Sequence, residues 1–183
     1  DNNFTDAGTN GSGRITYYSV DKTAVDTDDK FSRVVGSTGH PFVYGAWPGD
    51  YWLFTASNGK KFPAGTQLHI KFITRISGTG QKYWMLEAWD GENWVPTEAP
   101  KKVTVEGVEY EYNFEPTNTT SNSLVEHTWA LAKTCKTMQF RYRCVVDFSF
   151  GGTPLTKPNG GTNRIAGAPG DSDNGTSPVF EVL

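Results

Sequence analysis

Two stretches of the sequence, 82–89 and 137–150, are predicted strands, and the second is the longest run that alternates between apolar and polar side chains. Alternate residues of a β-strand point to opposite faces, so Tyr83, Glu87 and Trp89 share one face of the first stretch, and the polar members of the second stretch share one face. Flat aromatic rings pack against the apolar faces of sugars, and guanidinium or carboxylate groups can hydrogen-bond paired hydroxyls. Together with one cation from an earlier strand, these stretches predict a carbohydrate-binding surface with seven candidates: Arg75, Tyr83, Glu87, Trp89, Arg141, Arg143 and Asp147.

The same side chains also have a purely structural interpretation. An outer sheet face carrying cross-strand Arg–Glu pairs needs no ligand, and each such pair contributes little to stability. Trp47 and Trp94, which fall in predicted loops, are alternative aromatic platforms, although Trp47 could equally close one end of the core. Both interpretations remain open at this stage.

Metal binding has one weak signal, at Asp171-Ser172-Asp173-Asn174-Gly175. Hard oxygen ligands at alternate positions resemble the start of a calcium loop, but an acidic residue of the EF-hand pattern is lacking. Asp171 and Asp173 are therefore candidate ligands of a structural calcium, and ordinary polar turn chemistry explains them as well. The same holds for the acidic cluster of Asp26, Asp28 and Asp29. Zinc is not favoured, because the three histidines lack ligand spacing.

Catalytic patterns are weaker still. Glycoside hydrolysis needs two carboxylates roughly 5 to 10 Å apart, and the available strand acids are Glu87, Glu109 and Glu111. Glu109 and Glu111 fit a charged outer face. Gly170-Asp171-Ser172 matches a short esterase tripeptide, but it lies near the C-terminus of a chain without predicted helices. We expect no enzyme, with a hydrolase or lyase as the alternative.

The elements that must position these residues are strands. No segment has an apolar 3.6-residue repeat, whereas Gln67–Ile76 alternates cleanly. About ten to twelve strands with intervening turns predict an all-β, two-sheet antiparallel jelly-roll sandwich with almost no helix. We expect one domain over residues 1–183, with 1–13 as a loose lead-in. Trp84 and Phe140 fall on the inward faces, and each should cost about 3–5 kcal/mol when changed to Ala.

Charge, hydropathy and cysteine spacing limit the partners, membrane segments and disulfides that the sequence predicts. A net charge of −3 with mixed signs disfavours nucleic acid or a membrane surface as partner. No run approaches the roughly 20 apolar residues that cross a bilayer. Cys135 and Cys144 are nine residues apart, too far to bridge along one extended strand, so we expect two free thiols with Cys144 buried.

Six strings carry a family resemblance. They are Gly49-Asp50-Tyr51-Trp52-Leu53-Phe54, Phe62-Pro63-Ala64-Gly65-Thr66, Lys82-Tyr83-Trp84-Met85-Leu86-Glu87, Gln139-Phe140-Arg141-Tyr142-Arg143-Cys144, Asn159-Gly160-Gly161-Thr162 and Arg164-Ile165-Ala166-Gly167. Over about residues 30–183 the chain resembles the jelly-roll domain of uncharacterised surface lipoproteins of Bacteroidales gut bacteria. The resemblance implies a galactose-binding-like sandwich that is exported to the outer cell surface. It supplies no active site.

The sequence thus predicts a non-catalytic extracellular carbohydrate-binding module of a bacterial surface glycan-capture system. The alternative is a structural or adhesive protein-interaction domain of a surface lipoprotein. The expected partner is a glycan or a surface protein, and membrane association is expected only through a lipid anchor upstream of this sequence. Fold analogy alone is a weak basis for choosing between these functions.

Overall fold

The computed structural model describes residues 2–5, 12–18, 33–35, 40–44, 48–117, 122–154, 161–165 and 178–183, within which there are fourteen β-strands and no helix. The strands are β1 (Asn2–Thr5), β2 (Ser12–Tyr18), β3 (Arg33–Val35), β4 (His40–Tyr44), β5 (Tyr51–Ser57), β6 (Gln67–Ile76), β7 (Trp84–Trp89), β8 (Trp94–Pro96), β9 (Lys101–Val105), β10 (Val108–Tyr112), β11 (Ser123–Ala130), β12 (Met138–Cys144), β13 (Thr162–Ile165) and β14 (Val179–Val182). No helix in this part of the chain is long and apolar enough to span a membrane.

The strands form two six-stranded antiparallel sheets and a separate hairpin. The first sheet has the order β1-β2-β5-β12-β7-β8. The second has the order β11-β6-β13-β4-β3, with β14 also paired to β6. The hairpin consists of β9 and β10. This arrangement confirms the predicted all-β, two-sheet sandwich, although the strands outnumber the expected ten to twelve.

Strict alternation of side chains builds the core between the sheets. β5, β6 and β12 each bury every second residue, as a strand with one face on a core must. The rings of Phe54 and Phe72 stack across the two sheets with centroids 4.4 Å apart. Trp84 and Phe140 are fully buried, which confirms their predicted inward orientation.

One hydrogen-bonded polar cluster lies inside this core. Trp52 Nε1 donates to Asn163 Oδ1 over 2.6 Å, and Asn163 Nδ2 donates to the Tyr142 hydroxyl over 3.2 Å. Burial raises the pKa of Tyr142, while its hydrogen bonds to Thr74 and Asn163 act in the opposite direction. Because β13 belongs to the second sheet and β5 and β12 to the first, these bonds connect the two sheets in a specific register.

Two expectations about element boundaries differ from the structure. Residues Asn2–Thr5 form an edge strand paired with β2, within the segment predicted to be loose. Edge pairing uses backbone hydrogen bonds and requires no apolar pattern, so the residue types of this segment do not indicate it. β12 ends at Cys144 rather than at Phe150, because the amide of Val145 donates to Tyr83 instead of to a neighbouring strand.

Both cysteines are free thiols, and Cys144 is buried, as predicted. Burial is the largest cause that raises the pKa of Cys144 well above its usual value. The nearby charges of Asp147 and Asp50 raise it further. Burial likewise raises the pKa of Cys135.

Candidate functional site

The outer face of the first sheet carries a row of aromatic and charged side chains that crosses five strands. Register places Tyr18 on β2 opposite Tyr51 on β5, and Tyr51 opposite Arg143 on β12. Arg141 lies opposite Glu87 on β7, and Trp89 lies opposite Trp94 on β8. We call this row the aromatic–arginine strip and define it as Tyr18, Tyr51, Glu87, Trp89, Trp94, Arg141 and Arg143.

Glu87 and the two arginines form the charged centre of the strip. Arg141 donates from Nε and Nη2 to Glu87 Oε2, both over 2.7 Å. Arg143 donates from Nη2 to Oε1 over 3.3 Å and from Nε to Oε2 over 3.4 Å. Both oxygens of the carboxylate are therefore occupied by charge-assisted bonds. The expected grouping of these three residues matches their observed contacts.

Trp94 and Trp89 form one aromatic end of the strip. The Arg141 guanidinium lies 4.4 Å from the Trp94 ring centroid, and the Trp89 ring lies 5.4 Å away at an angle of 59°. The cation of Arg141 therefore contacts the face of the Trp94 ring, and such a contact is attractive. Arg141 is held in place by this ring and by Glu87 together.

Tyr18 and Tyr51 form the other aromatic end. Their rings stack with centroids 5.1 Å apart and an interplanar angle of 21°, and Tyr18 is 45% exposed. The Arg141 guanidinium also lies 5.6 Å from the Tyr51 ring. Tyr18 therefore presents aromatic surface to solvent, supported from beneath by its neighbour.

Tyr83 does not belong to the strip. It lies just before β7 and is buried in a small apolar cluster with Val105 and Val146. Its ring packs edge-on against Tyr112 at 4.7 Å and also contacts Phe148 at 5.8 Å. The β9–β10 hairpin folds over this end of the sheet, a long-range contact that strand alternation alone does not reveal. The expectation that Tyr83 is on the exposed face was wrong.

Arg75 and Asp147 are also separated from the strip. Arg75 is on β6 of the second sheet, opposite Arg164 of β13, so it faces away from the strip on the other side of the sandwich. Asp147 lies three residues after the end of β12, outside the paired strands of the sheet. Shared alternation placed three strands on one face, but sheet membership is set by strand pairing, which the sequence does not give.

Sequence reasoning missed Tyr18 and Tyr51 and treated Trp94 only as a loop ring. A usable signal existed on β5, whose burial alternates with Trp52 inward, so its neighbour Tyr51 had to lie on the outer face. Assigning it to the same sheet as Arg141 required the β5–β12 pairing.

A small cavity lies beside β11, away from the strip. A cavity of about 180 Å³ is lined by Leu86, Thr97, Glu98, Phe114, Leu124, Val125, Glu126 and His127. Burial lowers the pKa of His127, and the charge of Glu98 partly opposes this effect. The cavity is smaller than the roughly 300–1,000 Å³ of ordinary ligand pockets, so it does not fit an oligosaccharide.

Metal ligands are not assembled in the described part of the chain, where no group of three or more His, Cys, Asp or Glu side chains could hold an ion. The candidate calcium ligands Asp171 and Asp173 lie outside the described residues, as do Trp47 and the acidic cluster at 26–29. His69 instead contacts two carboxylates, Glu181 at 2.9 Å and Glu126 at 3.0 Å, on the outer face of the second sheet.

Comparison with known proteins gives loose structural similarities. No family model matches the sequence, and no curated protein matches it. The N-terminal cellulose-binding domain of Cellulomonas fimi β-1,4-glucanase C is 12% identical, with 98% of each chain covered and a TM-score of 0.46. A structure described as CBM4 is 10% identical, covering 100% of this chain and 96% of its own, with a TM-score of 0.43. Caldicellulosiruptor saccharolyticus CBM27-1 in complex with mannohexaose is 7% identical, covering 81% and 86%, with a TM-score of 0.34. Similarities of this size carry no argument about what the present chain binds.

Proposed function

We propose that this domain is a non-catalytic carbohydrate-binding module and that the aromatic–arginine strip is its binding surface. The carrying observation is the placement of aromatic rings, the exposed Tyr18 at one end and the half-buried Trp89 and Trp94 at the other, on either side of a hydrogen-bonding Arg–Glu–Arg centre on one sheet face. Rings supply the apolar contact for a sugar face, and the remaining guanidinium donors suit sugar hydroxyls.

The dimensions of the strip favour an oligosaccharide over a single sugar. From β2 to β8 the strip crosses four strand spacings of about 4.8 Å, or roughly 19 Å in total. Its two aromatic ends are therefore far enough apart to contact different sugar units of one extended chain. A sheet face of this length suits binding along the middle of a polymer rather than at its end.

The strip is proposed to bind without cleaving. Hydrolysis of a glycosidic bond by the common mechanisms needs two carboxyl groups, one of them able to donate a proton. The described side chains of the strip include a single carboxylate, Glu87, and both of its oxygens accept bonds from arginines. A single carboxylate whose two oxygens both accept arginine N–H groups does not supply the pair of carboxyl groups that these mechanisms use.

The resemblance to Bacteroidales surface lipoproteins extends this proposal to a location. Under this extended proposal, the domain is extracellular, is carried by a lipid anchor upstream of this sequence, and forms part of a surface glycan-capture system. Cell fractionation with an antibody to the domain, with and without protease treatment of intact cells, tests this. Protection of the domain inside intact cells would contradict the surface location.

The binding surface is tested by a glycan array with the purified domain and three variants. Tyr18→Ala and Trp94→Ala each remove an aromatic ring from one end of the strip. Each should weaken binding roughly tenfold or more, a loss of at least about 1.4 kcal/mol, as expected when an aromatic residue that anchors a ligand is truncated. Leu124→Ala removes a 53% exposed side chain on β11 of the other sheet and should bind like the unchanged domain. Equal binding by all four proteins would rule out the strip.

A protein-interaction function is the second candidate, and one observation favours it. Among the described strands, β11 ends the order of the second sheet, and its exposed Leu124 borders the small cavity described above. An edge strand can pair with a strand of another protein. A domain that binds no glycan on a broad array, but loses a surface-protein partner on Leu124→Lys substitution, would support this function instead.

A further inference from the structure

We propose that the strip recognises acidic glycans, specifically chains of uronic acids, through the surplus positive charge of Arg141 and Arg143. This inference rests on the proposed function, because it assigns a ligand class to the same surface. It arises from the unequal numbers and unequal exposure of the charges at the centre of the strip.

The charge count of the centre is unbalanced. Two guanidinium groups share one carboxylate, that of Glu87, which leaves one net positive charge among the three groups at the centre of the strip. The protein as a whole carries −3, so this charge is a local feature of the strip and does not reflect the overall composition. Arginine remains protonated at all ordinary pH values, and the surplus therefore persists.

The exposure of the three groups is also unequal. The Glu87 side chain is only 9% exposed, whereas Arg141 is 20% and Arg143 is 31% exposed. The carboxylate lies beneath and the guanidinium groups above it, so a ligand arriving from solvent meets the cations. Each guanidinium has five N–H donors and uses those on Nε and Nη2 for Glu87, which leaves donors for a second carboxylate.

Two other acids near the end of β12 need to be considered. Asp50 and Asp147 raise the pKa of the buried Cys144 thiol, after the larger effect of burial. Asp50 is fully buried, and both acids take part in interactions of their own. Neither is among the carboxylates paired with Arg143, whose partner is Glu87. The guanidinium surface of the strip thus keeps its positive excess.

The aromatic ends fit the same ligand class. A uronic acid has the ring faces of a neutral sugar and bears its carboxylate at the rim of the ring. A sugar stacked on Tyr18 or Trp94 would bring such a carboxylate toward the centre of the strip, where Arg141 already lies 4.4 Å from the Trp94 ring. Planar guanidinium groups bind planar carboxylates through paired hydrogen bonds.

The test compares each acid with its own uncharged form. Hexasaccharides of glucuronic, mannuronic and galacturonic acid, and the methyl ester of each, are titrated into the intact domain by calorimetry in 0.15 M and 1 M salt. We expect at least one acid to bind roughly tenfold more tightly than its ester, since charge-assisted bonds are the stronger kind. High salt should reduce this preference, because the screening length falls from about 8 Å to about 3 Å.

Arg143→Gln is the decisive variant. It removes the more exposed cation and leaves the 2.7 Å bonds between Arg141 and Glu87 in place, so the centre becomes neutral without an unpaired buried charge. The preference, measured as the ratio of the acid affinity to the ester affinity, should fall to about one, because the lost donors weaken both ligands while the lost charge weakens only the acid. Lys71→Gln makes the same change of charge at an exposed site on the second sheet and should keep the preference.

The outcomes separate the two proposals. Equal binding of acid and ester, tighter binding of the ester, or binding only of neutral array glycans would overturn the acidic ligand class and leave the glycan-binding function intact. Loss of the preference in Lys71→Gln as well would assign it to overall charge and also overturn the inference. Failure of every acidic and neutral glycan to bind would overturn the proposed function itself.

Discussion

Glu87 has its position because two arginines compensate for removing a carboxylate from water. A side chain only 9% exposed would lose solvation free energy if it were unpaired, and breaking such a group of charges by deleting one partner is destabilising. Pairing alone, however, does not favour two cations over one. The second arginine contributes donors and charge at the surface, which is where a ligand would use them.

Asn163 is a buried polar residue that connects the two sheets through its side chain. Its side chain accepts from Trp52 and donates to the Tyr142 hydroxyl in a fully packed region. Asn163→Ala removes both bonds at once, and we expect the free energy of unfolding in urea to fall by about 2–3 kcal/mol, the penalty for buried polar groups that lose partners.

A double-mutant cycle with Trp52→Phe provides the control for Asn163→Ala. Trp52→Phe removes the indole N–H, so the loss in the double variant should be smaller than the sum of the two single losses. Additive losses, or an Asn163→Ala variant within about 0.5 kcal/mol of the unchanged domain, would show that this bond does not couple the two residues.

At the scale of elements, two hairpin turns are stabilised in different ways, and the second of them positions one end of the strip. Glu106 and Gly107 both have positive φ, 48° and 80°, as expected for a two-residue turn whose twist matches the strands. The turn between β7 and β8 is anchored differently. The carbonyl of Asp90 accepts the amides of Ala132 and Lys133, so this turn packs against the segment that follows β11 and positions Trp89 and Trp94.

Gly91→Ala tests that packing. Gly91 has a φ of +98°, and an added Cβ would lie 2.2 Å from the backbone oxygen of Lys133, whereas Gly107 has a φ of +80° and open space around it. Gly107→Ala should cost about 1–2 kcal/mol, the conformational penalty alone. Gly91→Ala should lower the thermal unfolding midpoint at least twice as far as Gly107→Ala lowers it. Equal shifts would mean that the turn does not pack closely on Lys133.

The sequence predicted the bounds of several strands well, but it did not predict how the strands pair. Strand alternation located β6 with its observed ends, and Glu106-Gly107 separated β9 from β10 correctly. These are local properties, fixed by side-chain period and turn chemistry. The pairing partner of a strand is a long-range property, and the alternation of side chains along one strand does not reveal it. Arg75 was therefore assigned to the wrong sheet, and Tyr83 was expected in solvent although the hairpin covers it.

At the scale of the whole molecule, the two outer sheet faces differ in chemistry. The first carries the aromatic–arginine strip. The second carries His69 between two glutamates, with the exposed Lys71 two residues along the same strand. The sequence identified the charged centre of the strip, because Glu87, Arg141 and Arg143 lie at outward positions of strands that pair. Its tyrosine end could not be assigned without knowing that β2 and β5 join the same sheet.

The most direct test of the account is an amide-resolved NMR titration of the domain with the glycan that binds most tightly on the array. The account predicts saturable shift changes at Tyr51, Leu53, Glu87, Arg141 and Arg143, on three adjacent strands of the first sheet, and negligible changes along Lys71–Arg75 of the second. Changes concentrated on β6 or β11, with the first sheet unaffected, would contradict the assignment of glycan binding to the aromatic–arginine strip.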